Sequence, residues 1–257
     1  MPLNNRLHLK FNFSPPQIQA SQAAPNTASS QSTLEHLKDN FERLQLQLGR
    51  EPQHQYFKLA PYAPDYLAMR QSGFATSHNG YRSSNSREDV FIHVRREERQ
   101  SHGEFDGDKF HISVKREDLA RAFDGLSSLL FSEDSPIDKW KVTDMERVEP
   151  SARVSEGAQF TLYMKPQGSD SHYEASELNR IKHFVSQLEG VLHELQVPAG
   201  QHPDSDVRPD HWQYTSYRNE LRSQREGNEA QSLALSSEPF YRLMAEEEAA
   251  TQGGLPA

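Results

Sequence analysis

Between positions 109 and 114, Lys109, His111 and Ser113 alternate with Phe110, Ile112 and Val114. A β-strand sends successive side chains to opposite faces, so this segment would bury its apolar residues and present an ammonium, an imidazole and a hydroxyl on the other side. The same phase sets Lys139 and Lys141 opposite Trp140 and Val142, and Tyr163 and Lys165 opposite Phe160, Leu162 and Met164. In 90–95 it groups Phe91, His93 and Arg95, an aromatic ring beside a guanidinium. Arg153 precedes the Tyr163 segment, and Arg218, Arg222 and Arg225 recur at the spacing of one helix face. Taken singly, each of these side chains reads as a solvated residue or half of a surface ion pair. Taken together they point to a bound anion, because a chain of net charge −9 gains little from lining several strands with cations unless an anion sits among them. Arginine forks suit phosphate oxygens in particular.

Other chemistries are excluded or weakened by composition. There is no cysteine among the 257 residues, which removes disulfides, thiolate metal sites and a cysteine nucleophile. His93, His102 and His111 lack the helical spacing of a zinc protease, so neither a metal nor another cofactor is expected. With 28 basic against 37 acidic side chains, general nucleic-acid binding is disfavoured. No apolar run approaches the roughly 20 residues of a membrane span, and the N-terminus lacks the apolar core of a secretory signal peptide. No membrane partner is expected.

The elements that must carry these side chains follow from periodicity. Residues 1–31 contain no Asp or Glu and are rich in Asn, Ser, Gln, Ala and Pro, which predicts a flexible leader. Ser32 with Glu35 makes a capping box, and Leu34, Leu37, Phe41, Leu44 and Leu48 recur at helical spacing up to Gly49. The stretch 72–86 reads as loop with short elements. Further helices are predicted over 116–131 and 176–195, on Leu119, Phe123, Leu126 and Leu130 and on Leu178, Ile181, Leu188, Leu192 and Leu195. Strands are predicted over 90–95, 109–114, 139–142 and 160–165. Helices and strands do not alternate regularly, so the expected class is α+β: a single domain over 32–244 with a mixed, mainly antiparallel sheet flanked by helices, and a disordered tail over 245–257.

Specific blocks go further. Gly107-Asp108-Lys109-Phe110-His111-Ile112-Ser113-Val114, Asp138-Lys139-Trp140-Lys141-Val142-Thr143-Asp144-Met145-Glu146 and Ser216-Tyr217-Arg218-Asn219-Glu220-Leu221-Arg222-Ser223 closely resemble the phosphothreonine lyases of the OspF and SpvC type, which bacteria inject into host cells through type III secretion. Leu130-Phe131-Ser132-Glu133-Asp134-Ser135-Pro136 and Glu238-Pro239-Phe240-Tyr241-Arg242-Leu243-Met244 extend the likeness, which runs from about Leu34 to Met244.

The resemblance implies an enzyme that removes phosphate by β-elimination from the threonine of the pThr-x-pTyr motif of dually phosphorylated host MAP kinases, leaving dehydrobutyrine. It assigns Lys141 as the base for the Cα proton and His111 as the acid for the leaving phosphate. Lys109 and Tyr163 fall around the reacting centre, Arg153, Arg218 and Arg225 hold the phosphate, and Phe91 lies near the substrate with Arg95 or Lys165 for the phosphotyrosine. It also gives the leader a use, as a secretion signal and a kinase-docking sequence built on Arg6, Leu7, Leu9, Lys10 and Phe11. A monomer is expected, delivered to the host cytoplasm, with the nucleus as a second compartment to consider. The chief rival is a non-catalytic module that captures phosphorylated MAP kinase, for which the arginines and the leader suffice; a metal-independent phosphohydrolase ranks behind it for want of a nucleophile.

Overall fold

The computed structural model describes residues 27–50, 56–86, 88–223 and 227–246. The docking residues Arg6 to Phe11, the tail from 247 and Arg225 lie outside them. Among the described residues seven strands form one sheet: β1 (Phe74–His78), β2 (Tyr81–Ser84), β3 (Phe91–Arg96), β4 (Asp108–Ile112), β5 (Lys139–Thr143), β6 (Phe160–Tyr163) and β7 (Thr215–Asn219). Their order is β1-β2-β3-β5-β6-β4-β7, and every pairing is antiparallel. The α+β class and the mainly antiparallel sheet are as expected; parallel pairs, which a mixed sheet would contain, do not occur at these pairings.

Alternation in the predicted strands divides the sheet into two chemically different faces. Ile92, Val94, Phe110, Ile112, Trp140, Val142, Phe160 and Leu162 are fully buried on one of them. Helix α4 (Leu119–Leu130) packs there through Phe123, whose ring stacks on Phe160 and meets Trp140. Helix α8 (Pro239–Ala245) brings Phe240 against Phe110 and Tyr217. Helix α6 (Ala175–Glu194) lies against both and buries Leu178, Ile181, Leu188 and Leu192. Each large side chain removed from water here contributes about 1.5–3 kcal/mol, which makes this packing the main force holding the sheet together beneath the opposite face.

Several predicted boundaries shift. The first predicted helix is two, α1 (Thr27–Asp39) and α2 (Phe41–Leu48), divided at Asn40, whose amide donates to the His36 carbonyl. Ser32 therefore lies inside α1, and the capping box is not the helix start. The predicted 116–131 helix begins with a 3-10 turn at Arg116–Asp118, and Leu195 stays 38% exposed at the end of α6 instead of joining the core. Short helices α3 (Tyr66–Gln71), α5 (Arg153–Glu156) and α7 (Glu229–Ser236) complete the fold. The stretch read as loop is the β1–β2 hairpin, turning at Asn79 and Gly80, both at positive φ.

The largest correction concerns the arginines. Arg218 lies in β7 and not on a helix, so Arg218 and Arg222 do not share a helical face. Arg222 turns inward to Asp106 and Glu238, at 2.9 Å from each.

Candidate active site

Register across the second face sets the site. Reading from β3 through β5, β6 and β4 to β7, one row of directly paired residues runs Arg95, Lys139, Tyr163, Lys109, Arg218. The neighbouring row runs His93, Lys141, Thr161, His111, Ser216. Lys141 and His111 are thus on the same face with one strand between them, a backbone separation of about 9–10 Å from the inter-strand spacing. Thr161 is the short side chain between them and leaves room for a reacting group.

Over this surface lies a cleft of about 500 Å³ lined by Lys109, His111, Lys141, Arg153, Tyr163 and Arg218 together with Phe91, Thr161, Glu220 and Ser223. A second cleft of about 450 Å³ adjoins it and takes in Arg95, Arg99, Phe105, Lys139, Lys165 and Leu221. Tyr163 and Glu220 belong to both and form the ridge between them. The described residues that the resemblance assigns to the site therefore meet in two contiguous clefts, whereas Ser113, His93 and Arg222 line neither.

Lys141 is held with its Nζ 3.5 Å from the centre of the Phe91 ring. Burial, and then the charge of Lys109, lower its pKa to about 8, against an opposing pull from Asp89 and Glu220. At neutral pH it thus has a usable fraction of free amine, which an ordinary lysine lacks. Burial also lowers Lys109 and Lys139, while it raises Tyr163 to about 12, so that the phenol stays a hydrogen-bond donor. Lys139 sits over the Tyr163 ring at 4.4 Å and Lys109 pairs with Glu220 at 3.2 Å.

His111 is buried, and its Nδ1 donates to Asp206 at 2.6 Å. That bond orients the ring and leaves Nε2 as its second nitrogen for proton transfer. Burial outweighs the attraction of Asp206 and lowers the His111 pKa, with Lys109 and Arg153 adding to the fall. Burial alone would raise Asp206, but the charge and hydrogen bond of His111 and the hydroxyls of Ser216 and Ser205 hold its carboxyl below the ordinary value. Burial and the neighbouring cations thus favour a neutral imidazole, and a dianion beside it would favour the charged acid.

Arg218 is fixed by Ser205 and Ser223, at 2.9 and 3.1 Å. Asp206, Glu220, Phe105, Thr161 and Ser205 were not singled out by periodicity. Asp206 and Ser205 lie between elements, where no face pattern exists, and Glu220 follows a strand that the sequence reading took as a helix. Among the described residues no group of three or more histidines and acidic side chains is placed to hold a metal ion, and no helix is long and apolar enough to cross a membrane.

Fold and site together define a single-domain α+β enzyme whose cation-lined cleft brings a lysine of lowered pKa and a buried histidine onto one face of the sheet. The sequence pattern of OspF/SpvC matches residues 3–246, and the chain belongs to that family. It is 54% identical over 246 residues to the MAPK phosphothreonine lyase of Salmonella typhimurium, covering 96% of this chain and 100% of that protein. The solved structure of the Chromobacterium violaceum VirA (SpvC) phosphothreonine lyase effector superimposes with a TM-score of 0.81 at 55% identity, covering 84% of this chain and 100% of that one. The type III effector and phosphothreonine lyase OspF from Shigella flexneri gives 0.73 at 49% identity, with 82% and 100% covered.

Proposed function

We infer that this chain, a phosphothreonine lyase by its family, is a secreted effector that acts on host MAP kinases and eliminates phosphate from the threonine of a pThr-x-pTyr segment. Lys141 Nζ takes the Cα proton, the electron pair forms the Cα–Cβ double bond, and the Cβ–O bond breaks. His111 Nε2 gives a proton to the departing phosphate oxygen. The products are dehydrobutyrine and inorganic phosphate, and no water is consumed.

The observation that carries this reading is the shared row: base and acid face one cleft from strands separated only by β6, with Thr161 between them. The Cα proton is weakly acidic, so charge developing on the threonine carbonyl needs donors fixed beforehand; Lys109 and Tyr163, on the adjacent row, suit that task. Arg153 and Arg218 line the same cleft and suit the phosphate, with Arg225 assigned by family likeness. The adjoining cleft, with Arg95, Lys139 and Lys165, suits the phosphotyrosine as a remote handle that orients the threonine. The dually phosphorylated kinase is then the substrate, and the enzyme acts as a monomer, in the host cytoplasm or nucleus.

Mass spectrometry of a pThr-x-pTyr peptide after incubation tests this reading. Loss of the elements of phosphoric acid from threonine is expected. A regenerated hydroxyl would mean hydrolysis, and a bound but unchanged peptide would leave only the capture module.

A further inference from the structure

Glu220 is a carboxylate set among cations in a site that must receive anions. Its Oε2 lies 3.2 Å from Lys109 Nζ, and its side chain is 48% exposed where the two clefts meet. The backbone fixes where this side chain departs. Glu220 N donates to the Gly107 carbonyl at 2.7 Å. Asn219 next to it donates to the Asp106 carbonyl and to Asp108, and its Oδ1 accepts from the amides of Leu221 and Arg222. Gly107 lies at φ 93, and a Cβ there would meet the Asn219 side chain at 2.4 Å, so this close approach requires glycine. Arg222 then locks the turn by its bonds to Asp106 and Glu238.

A negative charge at the entrance to a phosphate site opposes binding, and this one is paired with a lysine of the site. We propose that Glu220 is a positioning residue of the lyase: a resident counter-charge that holds the Lys109 ammonium at the ridge between the clefts and yields it to the substrate. This rests on the lyase reading of the site. Around Glu220 and Lys141 stand Lys109 on β4, Lys139 on β5, Tyr163 on β6, Arg218 on β7, Arg95 and His93 on β3, Arg153 on α5, and Asp89 and Asp206 from the connecting segments. Asp89 is already engaged by His93 at 2.9 Å, and Asp206 by His111. Among the described residues Glu220 is thus the carboxylate that bears most on Lys109 and Lys139. It follows that Glu220 also keeps Lys141 more basic than its cationic neighbours alone would, and that it competes with the phosphates for Lys109.

The test is Glu220→Gln beside Glu220→Asp, each assayed on a pThr-x-pTyr peptide for the pH dependence of kcat/KM and, in a Lys141→Ala background, for peptide affinity by calorimetry. In Glu220→Gln the alkaline limb, which falls at Lys141 because His111 titrates below it in the free enzyme, should move down by about half a pH unit at low salt. Affinity should tighten roughly three- to tenfold and the gain should shrink as salt is added. Plateau kcat should fall, since Lys109 is no longer held, and Glu220→Asp should restore the limb toward wild type. An unmoved limb with unchanged affinity overturns the proposal, as does a joint loss of kcat and affinity with the limb unmoved, which would mean a structural role only. Should the wild type release no phosphate from threonine, the lyase reading fails instead, and the calorimetric comparison still decides whether Glu220 opposes the anion.

Discussion

Replacing Asp206 by Asn keeps the shape of the buried His111 partner and removes its charge. The His111 and Asp206 side chains are 4% and 0% exposed and 2.6 Å apart, so water screens the pair little. With charge centres about 4 Å apart and an effective dielectric of about 20, the imidazolium loses on the order of 4 kcal/mol of stabilisation. The neutral ring loses far less, because an amide can still hydrogen-bond Nδ1. The deficit therefore falls on the protonated acid, and kcat/KM for the phosphopeptide should drop by about 10²–10⁴, the range of one general acid. The sign of the pH effect follows. Asp206 raises the proton affinity of His111 against burial, so without it the acidic limb, which His111 sets because Lys141 titrates above it, moves to lower pH. Stopped-assay phosphate release from pH 5.5 to 9, beside the melting temperature at each pH, separates this from misfolding. A variant that melts like the wild type and keeps kcat/KM within threefold from pH 6 to 8 would refute the assignment of His111 as an acid armed through Asp206.

Other expectations are shorter. Lys141→Ala should lower turnover by at least about 10³ while calorimetry finds phosphopeptide affinity within a few-fold of wild type; surviving turnover would move the base elsewhere. Phe91→Ala removes the ring beneath Lys141 and should cut kcat about tenfold with a smaller change in KM, read from steady-state kinetics. Burial raises Asp108 to about 7, with the charge of Asp106 adding to the rise, and Arg222 together with the hydrogen bonds from Tyr217 and Asn219 offsets it only in part. A carboxyl whose folded pKa is raised costs stability as pH rises from the ordinary value through the folded one. Asp108→Asn should therefore raise the melting temperature by roughly 2–4 °C at pH 8, about 1 kcal/mol, with a smaller gain at pH 5 in calorimetry. An equal effect at both pH values would mean that Asp108 is not buried as an acid.

The central strands were legible because β3, β4, β5 and β6 each bury an apolar face and set polar side chains on the other, the pattern that alternation detects. Strand β7 was not, since Thr215, Ser216, Tyr217, Arg218 and Asn219 are buried on both sides. Ser216, Arg218 and Asn219 are held by specific partners, Asp206, Ser205 and Asp108, an arrangement without any sequence period. The spacing of Arg218, Arg222 and Arg225 then imitated a helix. The β1–β2 hairpin did carry a signal: Asn79-Gly80 is the dipeptide preferred in two-residue turns, and the surrounding serines and asparagines obscured it. Asp206 was invisible for a different reason, as its partner His111 is 95 residues away in sequence.

The two rows across the sheet share their backbone with the core beneath. Phe110, packed against Phe240, lies between Lys109 and His111 on one strand, and Trp140 between Lys139 and Lys141 on another. Catalysis and cohesion are therefore two sides of the same ribbon, and neither can be varied without the other. On heating, activity should vanish together with the cooperative melt and not ahead of it, and an evolving lineage would retune this enzyme at the rims of its clefts, leaving the strands themselves unchanged.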